Sequence, residues 1–164
     1  MGRRCAGLTA AACLTTLAAC GGSSTTRTAQ LDREWSANAG GVIDQLRRDL
    51  VLAASGGDTL ASARLALGDA SSLYTILVAY TDFGGCRHMV AAAGATPARY
   101  RPAQAVLDSA CRLLARGAAL FTRATTRRDA RALLAAGRTT ARAAPLLVRA
   151  RAALEAATPR RDRG

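Results

Sequence analysis

Residues 31–50 read LDREWSANAGGVIDQLRRDL. Leu31, Trp35, Ala39, Val42, Leu46 and Leu50 recur at steps of three and four. That spacing lays the apolar side chains along one face of a 3.6-residue helix, with most charges turned away. A first helix is expected over residues 29–52. Gly40-Gly41 falls inside it, at a cost of about 1 kcal/mol per glycine relative to alanine. The pair marks either a bend or the close approach of a neighbouring helix. Ser55-Gly56-Gly57 then breaks the chain.

The same period continues downstream. Asp58 is placed to cap a second helix through the free amides of its first turn. Leu60, Ala63, Leu67, Ala70, Tyr74 and Leu77 form its main stripe, widened by Leu65, Leu73, Ile76 and Tyr80. This helix is expected to be the most buried, and Gly84-Gly85 to end it. Residues 83–101, with Gly84, Gly85, Gly94 and Pro97, read as a long connector holding at most a short helical turn at 87–93. A loop of that length in a compact domain is usually functional or pinned. A third helix starts at Thr96-Pro97 or at Pro102. Its stripe is Val106, Leu107, Ala110, Cys111, Leu114, Ala118 and Phe121. A fourth starts near Thr126, placed three residues before Asp129 as in a capping box. It runs through Leu133, Leu134, Gly137, Ala141, Ala144, Leu147, Val148 and Leu154, with Pro145 expected to kink it. Thr158-Pro159 stops it.

No useful period-two run exists, so the fold class is all-α. Four amphipathic helices joined by two short connections and one longer one predict an up-down-up-down four-helix bundle over residues 30–158, followed by a basic tail at 159–164.

Upstream of the bundle, Met1-Gly2-Arg3-Arg4 is a short positive segment, and residues 5–19 carry no charge. That pattern is a secretory n-region and h-region, too short to span a bilayer. Leu17-Ala18-Ala19-Cys20 resembles the lipobox of bacterial lipoprotein precursors at all four positions. The resemblance covers about the first 22 residues. It implies a signal peptide at 1–19, cleavage between Ala19 and Cys20, and a diacylglyceryl group on the Cys20 thiol. It also implies, in some bacteria, an acyl chain such as palmitate on the new N-terminus. Two or more chains suffice for stable anchoring. The alternative is an ordinary signal peptide with Cys20 incidental. Residues 20–29 are expected to form the lipidated cysteine and a flexible tether. The implied location is the extracytoplasmic face of the cell membrane.

Composition bounds the rest. All 23 basic residues are arginine, and the net charge is +12. The charge is uneven: residues 20–86 hold 5 Arg and 7 acids, residues 87–164 hold 16 Arg and 4 acids. Such a basic half suits anionic lipid, acidic wall polymer or an envelope protein. An exported chain rarely meets nucleic acid, and the six aromatic residues form no stacking platform, so nucleic acid is not expected as a partner. Arg127, Arg128, Arg131, Arg138, Arg142 and Arg149 are the candidate surface residues; the alternative is that they only solvate helix faces.

Cys86 and Cys111 remain after Cys5 and Cys13 leave with the signal and Cys20 is lipidated. In an oxidising compartment one bridge between them is expected. Its 25-residue separation would add about 3 kcal/mol in the chain-entropy model and pin the connector. The alternative is two buried free thiols. Cys86, His88 and Cys111 give three candidate metal ligands, where structural zinc takes four; no metal and no cofactor are expected.

Catalytic chemistry is hard to assemble. Asp82-Phe83-Gly84 spells a kinase triplet in a chain without lysine. The phosphate-binding loop motif also needs lysine, and no Gly-x-Ser-x-Gly elbow exists. Asp44 and Asp49, or Asp69, are possible paired carboxylates facing a cleft, the alternative being acids that are solvated or paired with arginine; Asp69 stands on a second apolar stripe, where a buried carboxylate needs an arginine or hydroxyl partner. The sequence therefore favours a non-enzymatic binding or structural lipoprotein of the envelope. The alternative is a small-ligand carrier, or less readily an enzyme, with a pocket between the helices near Gly40-Gly41 or beneath the connector. Asp69, Tyr74 and Arg64 would be its polar groups.

Overall fold

The computed structural model describes residues 22–159, with side chains from residue 26 onward. The expected signal peptide, Ala19, Cys20 and most of the basic tail lie outside the described residues. Six α-helices and one 3₁₀ turn follow one another. They are α1 (Gly22–Ala54), α2 (Leu60–Gly68), α3 (Ala70–Ala91), the turn Ala98–Tyr100, α4 (Arg101–Arg127), α5 (Ala130–Ala141) and α6 (Ala144–Ala157). Among the described residues there is no strand, as the sequence pattern required.

The element boundaries depart from the sequence reading in five places. First, α1 takes in residues 22–29, which read as tether. Once a helix is nucleated, each added residue contributes a hydrogen bond without a new nucleus. The helix also runs through Gly40-Gly41. Gly40 is buried beside Arg151 and Leu154 of α6, while Gly41 is open. The glycine pair therefore marks close approach.

Second, the single helix expected over 58–82 is two. Thr59, not Asp58, caps α2, its hydroxyl accepting from the Ser62 amide at 3.1 Å. Asp69 closes α2 and caps α3, accepting from the amides of Ser71 at 3.2 Å and Ser72 at 2.9 Å. The break resets the helical rotation, so the two parts do not share one buried stripe. Leu65, Tyr74 and Leu77 are exposed, and the expected most-buried helix is not the most buried.

Third, α3 passes through Gly84-Gly85 to Ala91. Phe83, Cys86 and Val90 are buried at helical spacing there. Burying these three apolar side chains outweighs about 1 kcal/mol per glycine. The long connector shrinks to residues 92–100, and Cys86 lies inside a helix rather than past its end. Fourth, α4 continues beyond Thr126 to Arg127. Arg128 then takes a left-handed φ of 49°, and Asp129 caps α5 through the amides of Arg131 and Ala132. Fifth, Pro145 does not kink a continuous helix. The chain stops at Ala141 and restarts at Ala144 with the proline in the first turn, where its missing N–H has no partner to lose.

α4 is the central element, packed against α3, α5 and α6, while α1 lies on α3 and α6. Tyr80 of α3 stacks on Phe121 of α4 with centroids 4.4 Å apart, and Phe83 meets Tyr80 edge-on. Gly117 lets α4 and α5 meet: a β-carbon there would overlap the methyl of Thr140 and lie 3.4 Å from the Ala136 carbonyl oxygen. A disulfide joins Cys86 to Cys111, with Cα atoms 5.4 Å apart, and staples α3 to α4. The connector itself is pinned elsewhere. Tyr100 stacks on Trp35 at 5.2 Å, and Arg99 lies over the Tyr100 ring while pairing with Asp32 at 2.9 Å.

Candidate functional site: an apolar groove with an arginine rim

The last turns of α1 carry Leu50, Val51 and Ala54 onto a side that no helix covers completely. Facing them are Leu134 and Ala141 of α5 and Val148 of α6. Because the chain breaks between Ala141 and Ala144, two short helices stand opposite α1 where one long helix would have run. A groove of about 690 Å³ remains. That lies within the range of small-molecule sites, roughly 300–1,000 Å³. Val51 is 74% exposed and Val148 56%, an arrangement that leaves apolar surface in water.

Arg47 and Arg138 stand at the groove with Asp58. Among the described residues, neither guanidinium makes a hydrogen bond or ion pair. Arg138 was a candidate from sequence; Arg47 and the groove itself were not.

A second depression of about 540 Å³ surrounds Gly40-Gly41, where the sequence placed a possible pocket. Its charges are already matched. Arg151 donates through Nη1 to Asp44 Oδ2 at 3.2 Å and through Nε to Glu155 Oε1 at 2.8 Å. The polar groups proposed for a carrier site do not converge on either depression. Arg64 is exposed, Tyr74 is 70% exposed, and Asp69 is an exposed helix cap. The Ser72 hydroxyl, then the Ser72 and Ser71 amides, hold the Asp69 carboxyl below the usual carboxylate range. Its partner is a hydroxyl, as a buried carboxylate would have required, but the group is not buried.

Arg127, Arg128, Arg131, Arg138, Arg142 and Arg149 are all exposed. Arg131 and Arg138 stand seven residues apart along one side of α5, and Arg142, the residue that closes the helix, follows four residues later. Arg127 and Arg128 sit at the α4–α5 joint, and Arg149 lies on α6. Among the described residues none of these six side chains has an acidic partner.

The possible pairing of Asp44 with Asp49 is not what the structure holds: Asp44 pairs with Arg151, and the acid beside Asp49 is Asp82. Gln45 Nε2 donates to Asp49 Oδ1 at 3.0 Å and to Asp82 Oδ2 at 3.3 Å, bringing two carboxylates together between α1 and α3. Asp49 is 1% exposed. Burial, then the negative Asp82 beside it, pushes the Asp49 carboxyl up to about 6, against the pull of Gln45 and Arg48. The available signal was position: Asp49 falls three residues after Leu46, on the buried stripe. Neither acid lines a groove.

His88 is exposed, and both sulfurs of the possible Cys86–His88–Cys111 set are taken up in the disulfide. Among the described residues no three His, Cys, Asp or Glu side chains are grouped to hold a metal ion. No described helix is long and apolar enough to cross a membrane. Comparison with protein-family models, curated proteins and solved structures finds no match for this chain.

Proposed function

We propose that the protein is a lipid-anchored, extracytoplasmic lipoprotein that binds envelope components without catalysis. The observation that carries this reading is the Cys86–Cys111 disulfide. It takes up both cysteines that follow Cys20, and such bonds persist in oxidising compartments. Lipobox-like Leu17-Ala18-Ala19-Cys20 supplies the anchor in this reading. Its four main segments, α1, α2–α3, α4 and α5–α6, run as an up-down-up-down bundle whose arginine-lined side on α5 meets anionic lipid, wall polymer or an acidic protein. A non-enzymatic role is favoured by the charges at the grooves: Asp44 and Glu155 of the second depression are both paired with Arg151, and the Asp49–Asp82 pair lies away from both grooves.

Mass spectrometry of protein extracted from membranes of its native host tests the reading. A chain starting at a diacylglyceryl-modified Cys20, two daltons lighter when oxidised than when reduced, is the expected result. Unmodified material starting at Met1 in the cytosolic fraction overturns it. Binding to anionic vesicles or wall polymer at low salt, weakening steeply as salt is added, tests the surface role; no binding at low salt removes it. A carrier role is the second reading, and the α1–α5–α6 groove is the observation that favours it.

A further inference from the structure

We propose that the α1–α5–α6 groove binds a single-chain amphiphile with an anionic head, a carboxylate or phosphate on one aliphatic tail. The inference deepens the carrier reading and names its ligand class. Three observations meet at one place. The walls are aliphatic, built from Leu50, Val51, Leu134, Ala141, Ala144 and Val148, with no aromatic ring among the lining residues to stack on a planar ligand. Two guanidiniums, Arg47 and Arg138, stand at the groove with no acidic partner among the described residues, against one acid, Asp58. Arginine is suited to carboxylate and phosphate because its planar fork donates two parallel hydrogen bonds. The volume of about 690 Å³ admits one chain and its head group.

The chain's own anchor is excluded as the occupant, a point that rests on the lipoprotein reading. The groove begins at Arg47, and the described part of α1 begins at Gly22. At 1.5 Å per residue these lie about 38 Å apart. An acyl chain spans about one leaflet, roughly 15 Å. A diacylglyceryl group on Cys20 therefore falls short of the groove, so an amphiphile bound there is a separate molecule.

The test uses the full oxidised chain carrying Cys20→Ser, which removes any attached lipid. Isothermal titration below micelle-forming concentration compares laurate, lauroyl lysophosphatidate, dodecanol and inorganic phosphate. Expected are one-to-one binding of an anionic amphiphile, at least tenfold weaker binding of dodecanol, and none of phosphate alone. Preference for laurate assigns a carboxylate head and preference for lysophosphatidate a phosphate head; both support the proposal. Arg47→Gln with Arg138→Gln should weaken the anionic amphiphile at least tenfold and leave dodecanol unchanged. Ala144→Trp, at an exposed position on the groove wall, should abolish binding of both. Circular dichroism and disulfide mass show that each variant is folded.

Failure of the folded protein to bind either anionic amphiphile overturns the proposal. So does equal affinity for dodecanol and for the better-bound of the two anionic amphiphiles, or affinity unchanged by both sets of substitutions. Dimerisation abolished by Val148→Asp, without amphiphile binding, would assign the groove to a second copy and also overturn it. None of these outcomes bears on the mass of Cys20 in the native host, so the two readings fail separately.

Discussion

Two stretches of α1, one around Trp35 and one around Val51, both present apolar side chains and meet different fates. In the first, Trp35 is closed over by Tyr100 and only 1% exposed. In the second, Val51 is 74% exposed, and Leu50 and Ala54 line an open groove. What differs is the arriving element. The connector delivers Tyr100 and Arg99 onto the first stretch and locks them with the Asp32 ion pair. At the second stretch the chain breaks between Ala141 and Ala144, and two short helices leave a gap. An apolar stripe becomes core only where another layer covers it.

The comparison breaks most directly at Trp35. Trp35→Ala should cost about 3–5 kcal/mol in urea unfolding, the scale of a large buried aromatic. Equal losses at Trp35 and Val51 would erase the distinction between the two stretches. Gly117→Ala comes next, at about 1–3 kcal/mol, because its new methyl meets Thr140 and pushes α5, a wall of the groove, away from α4. Thermal melts of both variants check the order.

The third prediction concerns pH. In the fold the Asp49 carboxyl sits at about 6, above its ordinary 3.8. Its proton is therefore held more tightly in the folded state than in the unfolded one. The stability this contributes is complete below about pH 4 and is lost as pH rises through 6. Asp49→Asn removes that loss while keeping an acceptor for Gln45. It should raise stability at pH 7.5 by on the order of 1 kcal/mol and flatten the difference between pH 4 and 7. A variant less stable than the parent at pH 7.5 would show that the buried charge is better compensated than its contacts indicate. The smallest effect is expected at Val51→Ser, within about 0.5 kcal/mol, the scale of an exposed position.

Helical periodicity was legible because burial and period agree along most of the chain. Trp35, Ala39, Val42 and Leu46 are all buried, as are Leu107, Cys111, Leu114 and Phe121. The disulfide was legible from cysteine arithmetic. Breaks were harder. Gly84-Gly85 looked like a stop, yet Phe83 and Cys86 anchor the helix through it. Gly68-Asp69 was hidden beneath an uninterrupted apolar stripe, although Asp69 had the side chain of a helix cap. The groove was not legible at all. Leu50 and Val51 carry no mark of being uncovered, since that depends on where α5 ends, and that in turn depends on a proline nearly a hundred residues away. Asp49 and Asp82 are 33 positions apart, and only the packing of α1 on α3 makes them neighbours.

The Cys86–Cys111 bond spans the whole connector, with one sulfur on each side of it. A protease that nicks the backbone anywhere between these two positions therefore releases nothing: the fragments stay in one covalent body, migrate as a single band, and part only when a reductant is added.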